Sequence, residues 1–181
     1  MNASDPGTSI LAMADLATPM SIRVAATLGL VEQAGGGGAT VAELASRTEA
    51  FEPALRRLLD HLVAIGVFDL DVESGRYRPT SLGEQIGGDS PEGVKVLLDM
   101  NSAGGRAELA FVELLETIHT GTPAYPLRYG RPFWADLDAE PALRASVIEP
   151  LRADRAGIPA ERFLIDVVTH EGGQVAAGVL G

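Results

Sequence analysis

Apolar positions in the first half of the chain recur at helical spacing, and glycine or proline punctuates nearly every run. After a polar tail at residues 1–9, expected to be disordered, Ile10 to Leu16 is apolar and too short to be stable alone, so it predicts a helix that needs a partner surface. Thr18 and Pro19 offer an N-cap and a first-turn proline for a second helix, which continues through MSIRVAATLGLVEQA to the glycines at 35–38. Its apolar residues on several sides predict burial. Thr40-Val41-Ala42-Glu43 is a capping box, in which hydroxyl and carboxylate each satisfy an orphan amide, and it opens a short helix to about Arg47. From Pro53 onward Leu55, Leu58, Leu59, Leu62 and Ile65 lie on one stripe until Gly66 closes the helix. The period then changes. Val67 to Leu70 and Arg76 to Arg78 flank a turn at Glu73-Ser74-Gly75 and predict a hairpin, after which Pro79 to Glu84 returns to a short helix. Helices followed by a hairpin, over residues 18 to 86, have the element order of a winged-helix domain.

The second half is helical with a different texture. Ser90-Pro91 predicts a helix start, Asn101 to Gly105 a bend, and Leu109, Phe111, Leu114, Leu115 and Ile118 a longer helical segment ended by Gly121 and Pro123. Four of the nine aromatic residues, Tyr125, Tyr129, Phe133 and Trp134, then fall within ten positions, interleaved with Arg128, Arg131, Pro123, Pro126 and Pro132. This reads as a stiff, flat-sided, partly cationic loop, suited to a planar organic molecule. Rings of this size also serve to anchor a loop onto a helical core, and Phe133 and Trp134 suit that role especially. Pro141 to Glu149 predicts one more short helix, and Phe163 to Val168 a strand.

The net charge of -11 changes what the winged helix implies. Residues 1–100 carry seven basic and fourteen acidic groups, and the remainder seven and eleven. On the striped helix Glu52 and Asp60 balance Arg56 and Arg57, and in the hairpin Asp69, Asp71 and Glu73 face Arg76 and Arg78. Neither element is an electrostatic footprint for a duplex, so no nucleic acid is expected, and His61 reads as a helix-surface or core histidine. The absence of cysteine excludes disulfides, thiol nucleophiles and thiolate metal sites. Asp154, Asp166, His170 and Glu171 lack a convincing ligand spacing, so no metal is expected, and no catalytic residue is assigned. The first ten residues lack the basic and apolar regions of a secretory signal. Asp15, Pro19 and Arg23 interrupt the longest apolar run, so a cytoplasmic protein without a membrane span is expected.

Several strings in order, DLATPMSIRVAATLGL, ALRRLLDHLVAIGVF, YRPTSLGEQI, the stretch from Leu97 to Leu137 and EPALRAS, resemble the N-terminal part of bacterial S-adenosylmethionine-dependent small-molecule O-methyltransferases. The resemblance points to their anthracycline-tailoring group, which includes carminomycin 4-O-methyltransferase and aclacinomycin 10-hydroxylase, and covers about residues 14–148. It implies that the winged helix dimerises and that the following helix and aromatic loop cover a substrate pocket. By the same resemblance Met100, Asn101, Arg128, Tyr129 and Trp134 approach an aromatic polyketide.

The pattern departs from the family after Pro150. The family continues with a Rossmann-like domain opening on a glycine-rich loop, whereas here Asp166 is followed by Val167, Val168, Thr169 and His170, and Gly172 and Gly173 come late. The fold expected is mainly α: a winged-helix dimerisation domain at 10–100, a helical and aromatic-loop capping segment at 101–150, and at 151–181 a remnant or divergent start of the S-adenosylmethionine domain. S-adenosylmethionine is the cofactor of the intact family, and this chain alone is expected to be truncated, to bind no cofactor and to be inactive. Its expected partners are a second copy or a full-length relative. Two other readings remain open on the residues, a non-catalytic dimerisation partner and a winged-helix regulator. Methyl transfer and hydroxylation are not distinguished.

Overall fold

A computed structural model describes residues 9–89 and 94–148. The helix start expected at Ser90-Pro91, the strand from Phe163 to Val168 and everything expected of 151–181 lie outside the described residues. Two compact units divide the chain, one ending at Asp99 and the other beginning at Met100.

The first unit opens with α1, Ile10–Met13, whose N-terminus is capped by the Ser9 hydroxyl accepting from the Ala12 amide at 3.1 Å. Asp15, not Thr18, caps the next helix: its carboxylate accepts from the amides of Ala17 and Thr18 at 3.0 and 3.1 Å, and α2 runs Ala17–Thr27. A free carboxylate two residues ahead of the first amide outcompetes the hydroxyl that the sequence pattern favours. The single helix expected through Ala34 is also corrected. Gly29 adopts φ 62°, a left-handed conformation that stops α2, and α3 restarts at Leu30–Ala34.

The capping box is present as expected, with Thr40 Oγ1 accepting from the Glu43 amide at 3.3 Å and Glu43 Oε2 accepting from the Thr40 amide at 2.8 Å. It starts α4, Val41–Thr48, and α5 follows at Glu52–Ala64. The leucine stripe buries Leu55, Leu59 and Leu62 against Ala25, Leu30, Leu44, Phe68 and Tyr77, with Leu58 and Ile65 packed at its margin.

The hairpin consists of β2, Phe68–Asp71, and β3, Arg76–Pro79, antiparallel with Leu70 opposite Tyr77. A two-residue strand that the pattern did not announce, β1 at Ala39–Thr40, pairs with the other edge of β3 and gives the order β1-β3-β2. Two residues beside a glycine run are too few to show alternation. Tyr77 is buried, and its hydroxyl donates to Asp60 Oδ1 at 2.9 Å, tying the sheet to α5. A 3-10 turn at Gly83–Ile86 and the short α6, Lys95–Leu98, complete the unit.

The stretch Ile10–Thr27 has a mean hydropathy of 1.2 over 18 residues, enough by length and composition to cross a membrane, which corrects the expectation that no run qualifies. It is not one continuous helix, since α1 stops at Met13 before Asp15 caps α2. Leu11 and Leu16 on this stretch are 80% and 72% exposed.

The second unit is built from short helices: α7 Ala103–Leu109, α8 Leu114–Thr120, α9 Ala124–Tyr129, α10 Phe133–Ala139 and α11 Pro141–Ile148. The long helix expected before Gly121 is broken by a 3-10 segment at Ala110–Glu113. Residues three apart stay aligned through such a segment, so the apolar pattern reads straight across it. The aromatic loop is likewise not a loop but α9 and α10, separated by Gly130 at φ 77° and the capping Pro132. The core around them is small-sided: Ala103, Ala107, Ala110 and Ala124 surround Tyr125, Phe133, Leu137 and Leu143.

Gly83, in the first unit, is closed to any side chain. A Cβ on Gly83 would lie 2.1 Å from the carbonyl oxygen of Val67, which is backbone and accepts from the Thr80 amide at 3.1 Å. Gly83→Ala is expected to cost about 2 kcal/mol or more, at the upper end of overpacking effects. Gly36→Ala, where a Cβ meets nothing within 4 Å, should leave the urea midpoint almost unchanged. Equal midpoints for the two variants would contradict this packing.

Candidate aromatic ligand site

The aromatic segment is organised around a carboxylate. Asp136, on α10, is 2% exposed, and three side chains from three directions converge on it. Tyr125 Oη, on α9, donates to Asp136 Oδ2 at 2.6 Å, and Arg106 Nη1, on α7, donates to the same oxygen at 2.8 Å. Arg131, in the α9–α10 connection, brings Nε to 3.3 Å from Oδ1. Removing a carboxylate from water costs several kcal/mol, and two guanidinium groups and a phenol are what make its burial tolerable.

A row of rings rests on this hub. Tyr125 lies 4.6 Å from Tyr129 by ring centroids and 5.1 Å from Phe133 in an edge-to-face arrangement, and Phe133 lies 5.2 Å from Trp134. Tyr125 is fully buried and Phe133 nearly so, which makes both core residues first. The ends of the row differ: Tyr129 is half-buried and Trp134 is 63% exposed. Trp134, for all its size, does not serve the core.

Cations flank the Tyr129 end. The guanidinium carbon of Arg106 is 5.1 Å from the Tyr129 ring centroid and that of Arg128 is 5.6 Å from it, both within cation–π range. Arg128 is exposed, and its Nε donates to Tyr129 Oη at 3.4 Å. Arg106 in turn lies 3.7 Å from Glu140.

Of the residues expected to meet a ligand, the structure brings Arg128 and Tyr129 into direct contact and joins Tyr129 to Trp134 through Tyr125 and Phe133. Met100 and Asn101 sit in the turn that enters α7, the first half-buried and the second exposed, ahead of Ser102, whose hydroxyl accepts from the Gly105 amide at 2.9 Å. Sequence reasoning missed Arg106 and Asp136, which fix the site without facing outward. Asp136 follows Phe133 by three positions and Arg106 follows Ser102 by four, a spacing ordinary for helix-surface charges. The one available signal was an aspartate inside the segment that also carries Phe133 and Leu137.

An open cleft in the first unit, lined by Glu32, Ser81, Glu84, Gln85 and Asp89, has a different character. Glu32 there is already paired with Lys95 and accepts from the Gly88 amide. Among the described residues no cluster has the donors of a metal site.

Residues 11–86 match the O-methyltransferase dimerisation domain. A 2,7-dihydroxy-5-methyl-1-naphthoate 7-O-methyltransferase from Streptomyces carzinostaticus is 46% identical over 176 residues, covering 92% of this chain and 53% of the relative. Aclacinomycin 10-hydroxylase from Streptomyces purpurascens is 42% identical over 91% of this chain and 47% of its own length. Among solved structures, NcsB1, an O-methyltransferase of neocarzinostatin biosynthesis in complex with S-adenosylmethionine and 2-hydroxy-5-methyl naphthoic acid, aligns with a TM-score of 0.73 at 50% identity, over 80% of this chain and 43% of that one. The chain spans about half the length of the curated relatives it matches.

The hub has a pH signature. Burial first, then the hydrogen bond to Asp136 and the charge of Asp136, raise the Tyr125 phenol well above the ordinary tyrosine value near 10. Below pH 10 both folded and unfolded chains keep this proton. Above it the unfolded chain releases a proton that the folded chain retains, so stability falls as pH rises toward the folded value. Urea midpoints are therefore expected to drop above pH 10, with Tyr125→Phe removing part of the slope. Tyr77, raised chiefly by its own burial, accounts for a further part. An unchanged slope in Tyr125→Phe would contradict the buried phenol–carboxylate contact.

Proposed function

The chain belongs to the proteins that carry the O-methyltransferase dimerisation domain, and from that premise we propose that it supplies the dimerisation and substrate-capping region of a methyltransferase-family protein acting on a planar aromatic polyketide. Residues 10–100 form the dimerising part, with α4, α5 and the β2–β3 hairpin arranged as a winged helix, and 101–150 form the cap. The region from 151 onward is read as a remnant or divergent start of an S-adenosylmethionine domain.

The observation that carries the reading is the row from Tyr129 to Trp134, held by Asp136, with Arg128 and the half-exposed Tyr129 at one end and an exposed indole at the other. Apolar faces with a few fixed polar groups are what a flat aromatic ligand needs. Met100, Asn101, Arg128, Tyr129 and Trp134 are the residues assigned to it. Their work is to bind and orient the ligand and to keep water from it, and orientation of this kind accounts for much of the acceleration in transfer between two bound partners. A Rossmann-type nucleotide site needs a parallel strand followed by a glycine turn. The described residues have a three-stranded antiparallel sheet instead, so none of them is assigned to the cofactor. The two curated relatives are named for different reactions, a methyl transfer and a hydroxylation. That difference favours a role for this region in binding and not in the choice of chemistry.

A nucleic-acid role is disfavoured by pairing of the basic groups, Arg56 with Glu52, Arg76 with Glu43 and Arg78 with Asp71. The apolar stretch Ile10–Thr27 is read as dimer surface and not as a membrane span, since the dimerisation match begins within it. A homodimer in the cytoplasm is the arrangement proposed, and a full-length relative is a second acceptable partner.

Sedimentation velocity of the full chain tests this. A dimer is expected at about ten micromolar, by order of magnitude for a stable apolar interface. Leu11→Asp with Leu16→Asp should give monomers with little change in folded stability, because both side chains are exposed in the single chain. A monomeric wild type, or a double variant that stays dimeric, would count against the reading.

A further inference from the structure

We propose that Arg131 is a positioning residue: by pinning the uncapped start of α10 to Asp136, it fixes the orientation in which the Trp134 indole is presented to a flat ligand. This rests on the reading of Trp134 as a ligand contact and adds the group that holds it ready.

The local structure leads to it. Trp134 is the second residue of α10 and is 63% exposed, and its ring contact among the described residues is the edge-to-face one with Phe133 at 5.2 Å. Most of the indole is therefore open, unlike the Tyr129 ring, which already has Tyr125, Arg106 and Arg128 against it. The helix start that carries the indole is weakly held. Among the described residues no side chain caps α10, whose first turn closes through the Asp136 amide donating to the Pro132 carbonyl at 3.0 Å. An uncapped helix frays first in its opening turn, and here that turn includes Trp134.

Arg131 supplies the missing tie. It stands between Gly130, at φ 77°, and Pro132, and its Nε reaches forward to Asp136 Oδ1 at 3.3 Å, spanning the first turn. The far end of that tie is well anchored, because Asp136 is already held through Oδ2 by Tyr125 and Arg106. Phe133, buried, anchors the same turn on its core side. The Arg131 side chain is half in water, where an ion pair contributes little to folding stability. Its effect is therefore expected on the orientation of the turn and not on whether the unit folds. An indole held still before the ligand arrives avoids the ordering cost of binding.

The full chain tests this without labels, since Trp134 is its only tryptophan. In Arg131→Gln the tryptophan anisotropy is expected to fall and acrylamide quenching to rise. Binding of 1-naphthol, followed by equilibrium dialysis, should weaken about two- to tenfold, the equivalent of ordering one side chain on binding. Arg131→Lys should restore part of all three. The urea midpoint should fall less in Arg131→Gln than in Arg106→Gln, which loses the inner partner of Asp136. The inference is overturned by an indole unchanged in Arg131→Gln, by a loosened indole with unchanged naphthol affinity, by a lysine variant no better than glutamine, or by equally lowered midpoints. If the wild type does not bind 1-naphthol, the ligand reading of Trp134 falls and the inference with it. An unchanged indole in Arg131→Gln beside normal wild-type binding sinks the inference alone.

Discussion

A carboxylate with almost no access to water has to be matched where it sits, and Asp136 sets that condition for the aromatic segment. Its partners come from α7, from α9 and from the connection ahead of α10, so satisfying one charge fixes three pieces of backbone. The helices concerned are six or seven residues long, too short to persist without tertiary contacts. Much of the core they share is alanine, which allows close approach but buries little area per residue. Under those conditions a hydrogen-bonded ionic hub does what a larger apolar core would do elsewhere. It also holds Tyr125 upright beneath Tyr129.

The same economy is visible in the first unit, where the sheet has three strands and one of them two residues. There Tyr77 reaches Asp60, and Arg76 reaches the capping-box carboxylate of Glu43, Nη1 at 3.2 Å from Oε2, so that a local helix cap also holds the hairpin. That pairing differs from the one the sequence suggests, in which the hairpin's arginines answer its own acidic residues. Only Arg78 does so, at 3.6 Å from Asp71. The leucine core supplies most of the cohesion here, and the polar ties set the register.

What could be read from the residues follows from how local each signal is. The capping box, the leucine stripe and the hairpin turn are determined within a few positions, and the structure has them where the spacing puts them. Gly29 was legible as a glycine but not as a helix break, because an apolar run continues on both sides of it and only the backbone angle decides. The 3-10 segment at Ala110–Glu113 and the two helices in the aromatic stretch escaped for related reasons: i+3 alignment imitates an unbroken helix, and prolines imitate a loop. The site itself was half legible. Tyr129, Arg128 and Trp134 stand out by composition, whereas Arg106 and Asp136 are thirty residues apart and acquire meaning only when α7 and α10 pack. Family resemblance supplied Met100 and Asn101, which no spacing argument would have chosen.

The claim on which the rest turns is that the Tyr125–Asp136 contact is an energetic hub and not a by-product of packing. A double-mutant cycle of Tyr125→Phe and Asp136→Leu, read by urea unfolding, measures it most directly, since the first change removes the donor and the second the acceptor. A coupling of about 1.5 kcal/mol or more is expected for a buried hydrogen bond to a charged group. Additive effects, within about 0.3–0.5 kcal/mol, would contradict the account.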